Sequence, residues 1–388
     1  MDNFQLFNPV NIVFGKNTIG ELPNLLKDKS NILFAYGGGS IKKNGVYQQI
    51  KTALSHKTVF EFAGIEANPD YDTLMKAVEI CRKDNIDFIL AVGGGSVIDG
   101  CKFIAHAAKY KGKNPWEILL GKPMKDAIPL GCILTLSATG SEMNTFSVIS
   151  KRSTNEKKAF SSPLSFPKFS ILDPSITFSL PERQVINGII DPFVHVAEQY
   201  LTYDVNAPLQ NRQSEAILKT LIEEGPKALK NPTNYDVRAN LMWCATNALN
   251  GTIGKGVPQD WATHEIGHEL TACFGLDHAQ TLAVILPAVL KYEFAQKKKR
   301  LSHFGQVIFN IKANSDNKIA KSAIEKTENF FRSLGAKTRI SEYKISKKAL
   351  KPIPTQVIKT AGGKKLGEHM HIGEKEISEI LDLAFEKY

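Results

Sequence analysis

Phe88-Ile89-Leu90-Ala91-Val92-Gly93-Gly94-Gly95-Ser96-Val97-Ile98-Asp99 reads as a strand, a glycine turn and the opening of a helix. Consecutive glycines let a backbone approach a ligand closely and adopt positive φ. Ser96 is a natural N-cap, and Asp99, three residues on, matches the reciprocal capping position. The free amides and the dipole of such a helix favour a pyrophosphate. No Gly-Lys-Ser/Thr follows, so the loop is not a P-loop, and its spacing is not G-x-G-x-x-G. A tight structural turn, with Asp99 simply capping, is the competing reading.

The same pattern recurs outward from this stretch. Apolar strand-like runs at 31–36, 58–62 and 130–136 alternate with helical patterns, the signal of a parallel sheet covered by helices. Leu74, Val78 and Cys81 fall on one helical face. A further run at 10–14 suits a sheet edge or pairing with a partner subunit. Gly37-Gly38-Gly39-Ser40 closes the 31–36 strand as Gly93 to Gly95 close theirs. A carboxylate near such a strand end usually accepts a hydrogen bond from an adenine ribose with a free 2′-hydroxyl. Here glycine and serine occupy the turn, with Lys42 and Lys43 close behind, which favours NADP(H) over NAD(H).

From Pro181 the texture becomes helical, with periodicities predicting helices over 182–203, 209–229, 235–249, 259–273, 281–296, 319–334 and 374–388. The expected architecture is an α/β dinucleotide-binding domain, 1–180, and an all-helical domain, 181–388, with a cleft between them. A chain of 388 residues suits two domains. Hydrophobic content of 43% and charged content of 23% are ordinary for globular proteins. No stretch approaches the ~20 apolar residues of a membrane helix, and Met1 to Phe4 resemble no secretory signal. A cytoplasmic protein is therefore expected. The net charge of +10 is spread along the chain without interleaved aromatic residues, which argues against nucleic acid. Five scattered cysteines with no C-x-x-C pair exclude a disulfide framework and a thiolate zinc site.

Nine histidines occur in all, yet His264, His268 and His278 lie close together. Asp191 and His195 are four apart and share a helical face. Pro192 suits a first helical turn, which makes Asp191 a cap-like residue. One carboxylate and three imidazoles, Asp191, His195, His264 and His278, form a set able to hold a divalent cation at ~2.0–2.2 Å. His264-Glu265-Ile266-Gly267-His268 also fits the H-E-x-x-H pattern of zinc metalloproteases, with Glu293 as the nearest third ligand. That reading leaves both glycine loops, Asp191, His195 and His278 without a purpose.

Together these blocks resemble the iron-containing, or group III, alcohol dehydrogenases along the full length. The closest likeness is to the branch of NADPH-dependent aldehyde reductases and butanol dehydrogenases. The likeness rests on Gly37 to Ser40, Gly64-Ile65-Glu66-Ala67-Asn68-Pro69, Gly93 to Asp99, Thr139-Gly140-Ser141-Glu142 and the block from Gly256 to His264. It implies a dehydroquinate synthase-like fold and a cation on Asp191, His195, His264 and His278. It further implies that Gly38, Ser40, Asn68, Gly94, Gly95, Ser96 and Asp99 line the cofactor, with Thr135, Thr139, Asn144 and Lys157 near it. Two departures stand out: Leu136 where many relatives pair threonines, and Pro192 where many carry alanine.

The chemistry this implies is hydride transfer between a nicotinamide and a small aldehyde or alcohol, the cation polarising the carbonyl. Zinc, iron(II), cobalt, nickel and manganese all suit mixed nitrogen and oxygen ligands. His268, one turn beyond His264, is placed to relay a proton, against a supporting or structural role. Trp261 is either a pocket wall or core. A glycerol or other polyol dehydrogenase and a dehydroquinate-synthase-like lyase are the rival readings. A homodimer is expected, and His369 and His371 receive no role.

Overall fold

The computed structural model describes residues 1–154 and 156–385. Strands β1 (Asn11–Phe14), β2 (Asn31–Tyr36), β3 (Thr58–Ala63), β4 (Phe88–Gly93) and β5 (Leu130–Leu134) belong to one sheet. Between β5 and the last strand of that sheet, β6 (Phe146–Lys151) and β7 (Glu156–Ser161) pair antiparallel as a separate hairpin. With β8 (Phe169–Leu172) the main sheet has the order β1-β8-β5-β4-β2-β3, and every pairing in it is parallel. The crossovers use helices α1 (Val46–Ala53), α2 (Tyr71–Lys83) and α3 (Gly95–Lys109).

Burial on both faces explains the unbroken apolar runs. Ile32, Phe34 and Tyr36 join Phe88, Leu90 and Val92 in one cluster, with Val46 and Ile50 of α1. Leu33, Ala35, Ile89 and Ala91 point the other way, into a cluster with Val78 of α2 and Ile98, Cys101 and Ile104 of α3. Each fully buried Val, Leu, Ile or Phe side chain among them contributes about 1.5–3 kcal/mol of transfer free energy.

The remaining long helices are α4 (Glu182–Tyr200), α5 (Pro208–Lys230), α6 (Tyr235–Ala248), α7 (Ala262–Phe274), α8 (His278–Tyr292), α9 (Phe294–Phe309), α10 (Asp316–Ser333), α11 (Ile353–Thr360) and α12 (Glu374–Phe385). Ile266 and Leu270 of α7, Val284 and Ile285 of α8, Ile353 of α11 and Ile377 and Ile380 of α12 share one core. The chain divides into two compact units. One comprises 7–181 with 232–246; the other comprises 1–6, 182–231 and 247–388. Two short segments thus cross the single division expected at residue 180.

The 10–14 run forms β1 at the sheet edge, on β8, one of its two expected places. Other local expectations change. The periodicity over 281–296 ends early: α8 stops at Tyr292, buried Glu293 forms the joint, and α9 follows. The end of the predicted 374–388 helix, Glu386 to Tyr388, lies outside the described residues. Cys81, Cys101, Cys132 and Cys244 are buried and unbridged, and burial pushes the Cys81 thiol up to about 12. Among the described residues, no helix is long and apolar enough to cross a membrane.

Candidate active site

In the α/β unit the glycine loops lie where parallel strands end. β5, β4 and β2 are neighbours, and their carboxyl ends lead into Thr135 to Thr139, Gly93 to Gly95 and Gly37 to Ser40. The end of β3 leads into Gly64 to Asn68. Ligands of open α/β sheets bind at such strand ends. Gly39, at φ 93°, precedes the short helix Ser40–Lys43. Lys42 Nζ lies 5.1 Å from the Tyr47 ring centroid and 5.6 Å from that of Tyr36.

The triplet at 93–95 is required for space, since none of its members has positive φ. A Cβ on Gly95 would sit 2.4 Å from Thr139 Oγ1, and one on Gly93 would sit 2.5 Å from Val97 Cγ2. The expected capping geometry is not the observed one. Gly94 occupies the N-cap, so Ser96 falls inside the first turn, where its Oγ accepts the Asn68 amide at 3.3 Å. Asn68 adopts φ 53°, and its Oδ1 accepts from buried Lys157 at 3.1 Å. Asp99 caps nothing: Ser141 Oγ donates to its Oδ1 at 2.5 Å and the Val148 amide to its Oδ2 at 2.9 Å. Both oxygens are therefore engaged within the protein.

Sequence reasoning passed over Lys102. This fully buried ammonium donates to Ser141 Oγ at 2.8 Å, Asn144 O at 3.0 Å, Asn144 Oδ1 at 3.1 Å and Phe146 O at 2.7 Å. Burial pushes it down to about 8. Lys102 thus ties the loop carrying Thr139 and Asn144 to α3, and it holds Asn144 Oδ1 inward.

The histidine cluster belongs to the helical unit. Asp191 Oδ1 lies 3.5 Å from His195 Nε2 and 3.8 Å from the Nε2 atoms of both His264 and His278. Asp191, His195 and His264 are 3%, 4% and 7% exposed. Asp191 Oδ1 and His264 Nε2 have no hydrogen-bond partner. Buried polar atoms are seldom left unsatisfied without a functional reason, and a cation shared by these atoms would account for the pair. Burial alone would raise the Asp191 carboxyl, but His195, His264 and His278 hold it well below the usual range. Burial pushes His195 down to about 4.

Asp191 is not a helix cap. Pro192 lies inside α4, where its missing N–H and its ring both act on residue 188. That residue is glycine, and Phe193 packs against Phe330 and Phe331 to hold the segment helical. His264 lies in the first turn of α7, which ends at Gly275 with φ 68°. His278 opens α8, behind an Asp277–Gln280 capping box. His268 stacks on His278, centroids 5.0 Å apart. Glu293 bonds His371 at 2.9 Å, so the third ligand of the protease reading is elsewhere. His369 stacks on Tyr203. Trp261 lies 5.3 Å from the His264 ring, its Nε1 donating to Gln259 Oε1 at 2.9 Å.

Sequence reasoning passed over Glu198 as well. Glu198 follows Asp191 and His195 on the same face of α4 and bonds His264 Nδ1 through Oε2. The i, i+4, i+7 spacing of an acid, a histidine and an acid was the available signal.

The family profile for iron-containing alcohol dehydrogenase matches residues 9–174, and that for the Fe-containing alcohol dehydrogenase family, C-terminal, matches 185–385. The chain is 51% identical over 375 residues to the NADPH-dependent aldehyde reductase YqhD of Escherichia coli (strain K12), spanning 96% of this chain and 97% of that protein. It is 41% identical over 387 residues to the probable NADH-dependent butanol dehydrogenase 1 of Bacillus subtilis (strain 168), spanning 98% and 99%. The crystal structure of YqhD superposes with a TM-score of 0.97 at 49% identity, covering 99% of each chain. NADH-dependent butanol dehydrogenase A of Thermotoga maritima superposes with a TM-score of 0.95 at 34% identity, covering 100% of this chain and 99% of that one.

Proposed function

The chain belongs to the iron-containing alcohol dehydrogenase family, and from that membership we propose a metal-dependent, NADP(H)-preferring oxidoreductase acting between short-chain aldehydes and primary alcohols. The observation that carries this reading is the meeting of Asp191 Oδ1 with three imidazole Nε2 atoms in a buried cluster. Asp191, His195, His264 and His278 would hold a divalent cation, zinc or iron(II) first, with cobalt, nickel or manganese also suited. When bound, that cation supplies Lewis-acid polarisation of a carbonyl, and NADPH supplies the hydride.

The chain's own groups orient, shield and protonate. Gly93 to Gly95 and Gly37 to Ser40 would give the nucleotide close backbone contact, with Asn68, Lys157, Thr135 and Thr139 around it. Asp99 and Lys102 act from beneath, by fixing the segment 139–148. The uncharged turn at Gly39-Ser40 and the nearby Lys42 support preference for a 2′-phosphate. The name of the E. coli relative supports it too, while the butanol dehydrogenases are named for NADH. Trp261 would exclude water beside the cation ligands and favour apolar substrates. A cytoplasmic homodimer completes the reading; β1 has β8 as its one partner among the described strands, which leaves an edge for a second copy.

The test is NADPH oxidation with short aldehydes. Chelator-treated protein is expected to be inactive and to recover with Zn²⁺, Fe²⁺ or Co²⁺. Full activity of the metal-free protein would overturn the reading, and a preference for glycerol would move it to the polyol enzymes. His268, half-buried against His278, is assigned the proton that the product oxygen requires. His268→Ala should lower turnover about a hundredfold while bound metal, measured by mass spectrometry, stays constant. Normal turnover dismisses the relay.

A further inference from the structure

We infer that Glu198 is a positioning residue that fixes the tautomer of His264 and thereby sets the strength of the cation site. The inference rests on the cation reading above. Glu198 is 3% exposed and uses its two oxygens for different tasks. Oε1 accepts the Thr263 amide at 2.7 Å and the His264 amide at 3.2 Å. It caps the start of α7 from outside, where Trp261, the residue in the N-cap position, offers no side-chain bond. Oε2 faces His264 Nδ1.

A carboxylate only accepts, so the imidazole proton belongs on Nδ1. In the neutral ring that would bind a cation, the lone pair is then on Nε2, the atom that lies 3.8 Å from Asp191 Oδ1 and lacks a hydrogen-bond partner. A metal-ligating histidine commonly donates its other N–H in this way, which fixes the ring and raises its basicity. Because α4 carries Asp191, His195 and Glu198, a single helix presents two would-be ligands and the brace for a third.

Glutamine at this position separates the two tasks. Its carbonyl oxygen still caps α7, but its amide group then faces His264 Nδ1 as a donor. The imidazole must answer with a lone pair on Nδ1 and a proton on Nε2, aimed where the cation should sit. Alanine removes cap and brace together.

The experiment measures zinc affinity of metal-stripped native protein, Glu198→Gln and Glu198→Ala by competition with a chromophoric chelator, alongside their metal-free thermal midpoints. Glu198→Gln is expected to bind zinc about 10- to 100-fold more weakly with a midpoint close to native. Glu198→Ala is expected to lose both. Zinc affinity of Glu198→Gln within twofold of native overturns the inference alone. Native protein that takes up no zinc, iron(II) or cobalt(II) overturns the cation reading with it. Should the glutamine variant not fold, ¹⁵N-histidine NMR of the zinc-loaded native protein decides. A proton on His264 Nδ1 supports the inference, and its absence overturns it.

Discussion

Asp191→Asn is expected to hold no cation at micromolar concentration and to reduce aldehydes at least about a thousandfold more slowly than native. The factor follows from the several kcal/mol that Lewis-acid stabilisation supplies, at 1.36 kcal/mol per tenfold. Asp191 contributes the one carboxylate among the four converging groups. The amide is nearly isosteric, so α4 and its packing stay in place. Stability of the metal-free protein gives a second readout. Asp191 Oδ1 is buried without a hydrogen bond, but the imidazoles hold its carboxyl well below the usual range, so neutralising it gives up a net favourable charge interaction. The metal-free variant should therefore melt below the native midpoint. Aldehyde-dependent NADPH oxidation and metal content measure the first effect, and thermal unfolding of stripped protein the second. Native-like activity in Asp191→Asn would end the case for a cation at this cluster.

Gly95→Ala should damage the other half of the chemistry. Its Cβ would lie 2.4 Å from Thr139 Oγ1 and 2.6 Å from Thr139 Cγ2. Thr139 is poorly able to yield, because its Oγ1 accepts the Ser141 amide at 3.2 Å and Ser141 is in turn held by Lys102 and Asp99. Overpacking of this kind costs about 1–3 kcal/mol. The larger loss is expected in nucleotide binding, with the NADPH KM rising at least about tenfold as the loop shifts. Cation content should be unchanged, since all four proposed ligands lie in the other compact unit. An unaltered KM in a stably folded Gly95→Ala would assign this glycine to packing alone.

The parallel sheet was legible wherever strand, turn and helix followed in order, as at Phe88 to Asp99 and Asn31 to Ser40. β8 escaped because four residues carry no period and Pro163 and Pro167 precede it. The β6–β7 hairpin escaped because lysines and serines fill it, so its pairing rests on backbone bonds more than on apolar alternation. The convergence of Asp191, His195, His264 and His278 was legible from spacing. Glu198 and Lys102 were not legible, and Asp99 reads locally as a cap when its bonds run inward. Their partners lie 66, 42 and 49 residues away, and solvent-exposed helix faces are the usual setting for such charges. Pro192 suits a first turn only in its local setting; with Gly188 four residues before it, the helix runs through.

The interleaving of the units bears on how the molecule is made. Met242 is wholly enclosed in the α/β core, and Thr246 Oγ1 donates to the buried carboxylate of Glu142 at 2.6 Å. A nascent chain that has emerged only as far as residue 181 therefore has all its strands but an unplugged hollow and an unsatisfied acid. The nucleotide half is finished only after some fifty residues of its neighbour have left the ribosome, and a gene cut at the apparent boundary should yield a sticky, proteolysis-prone fragment.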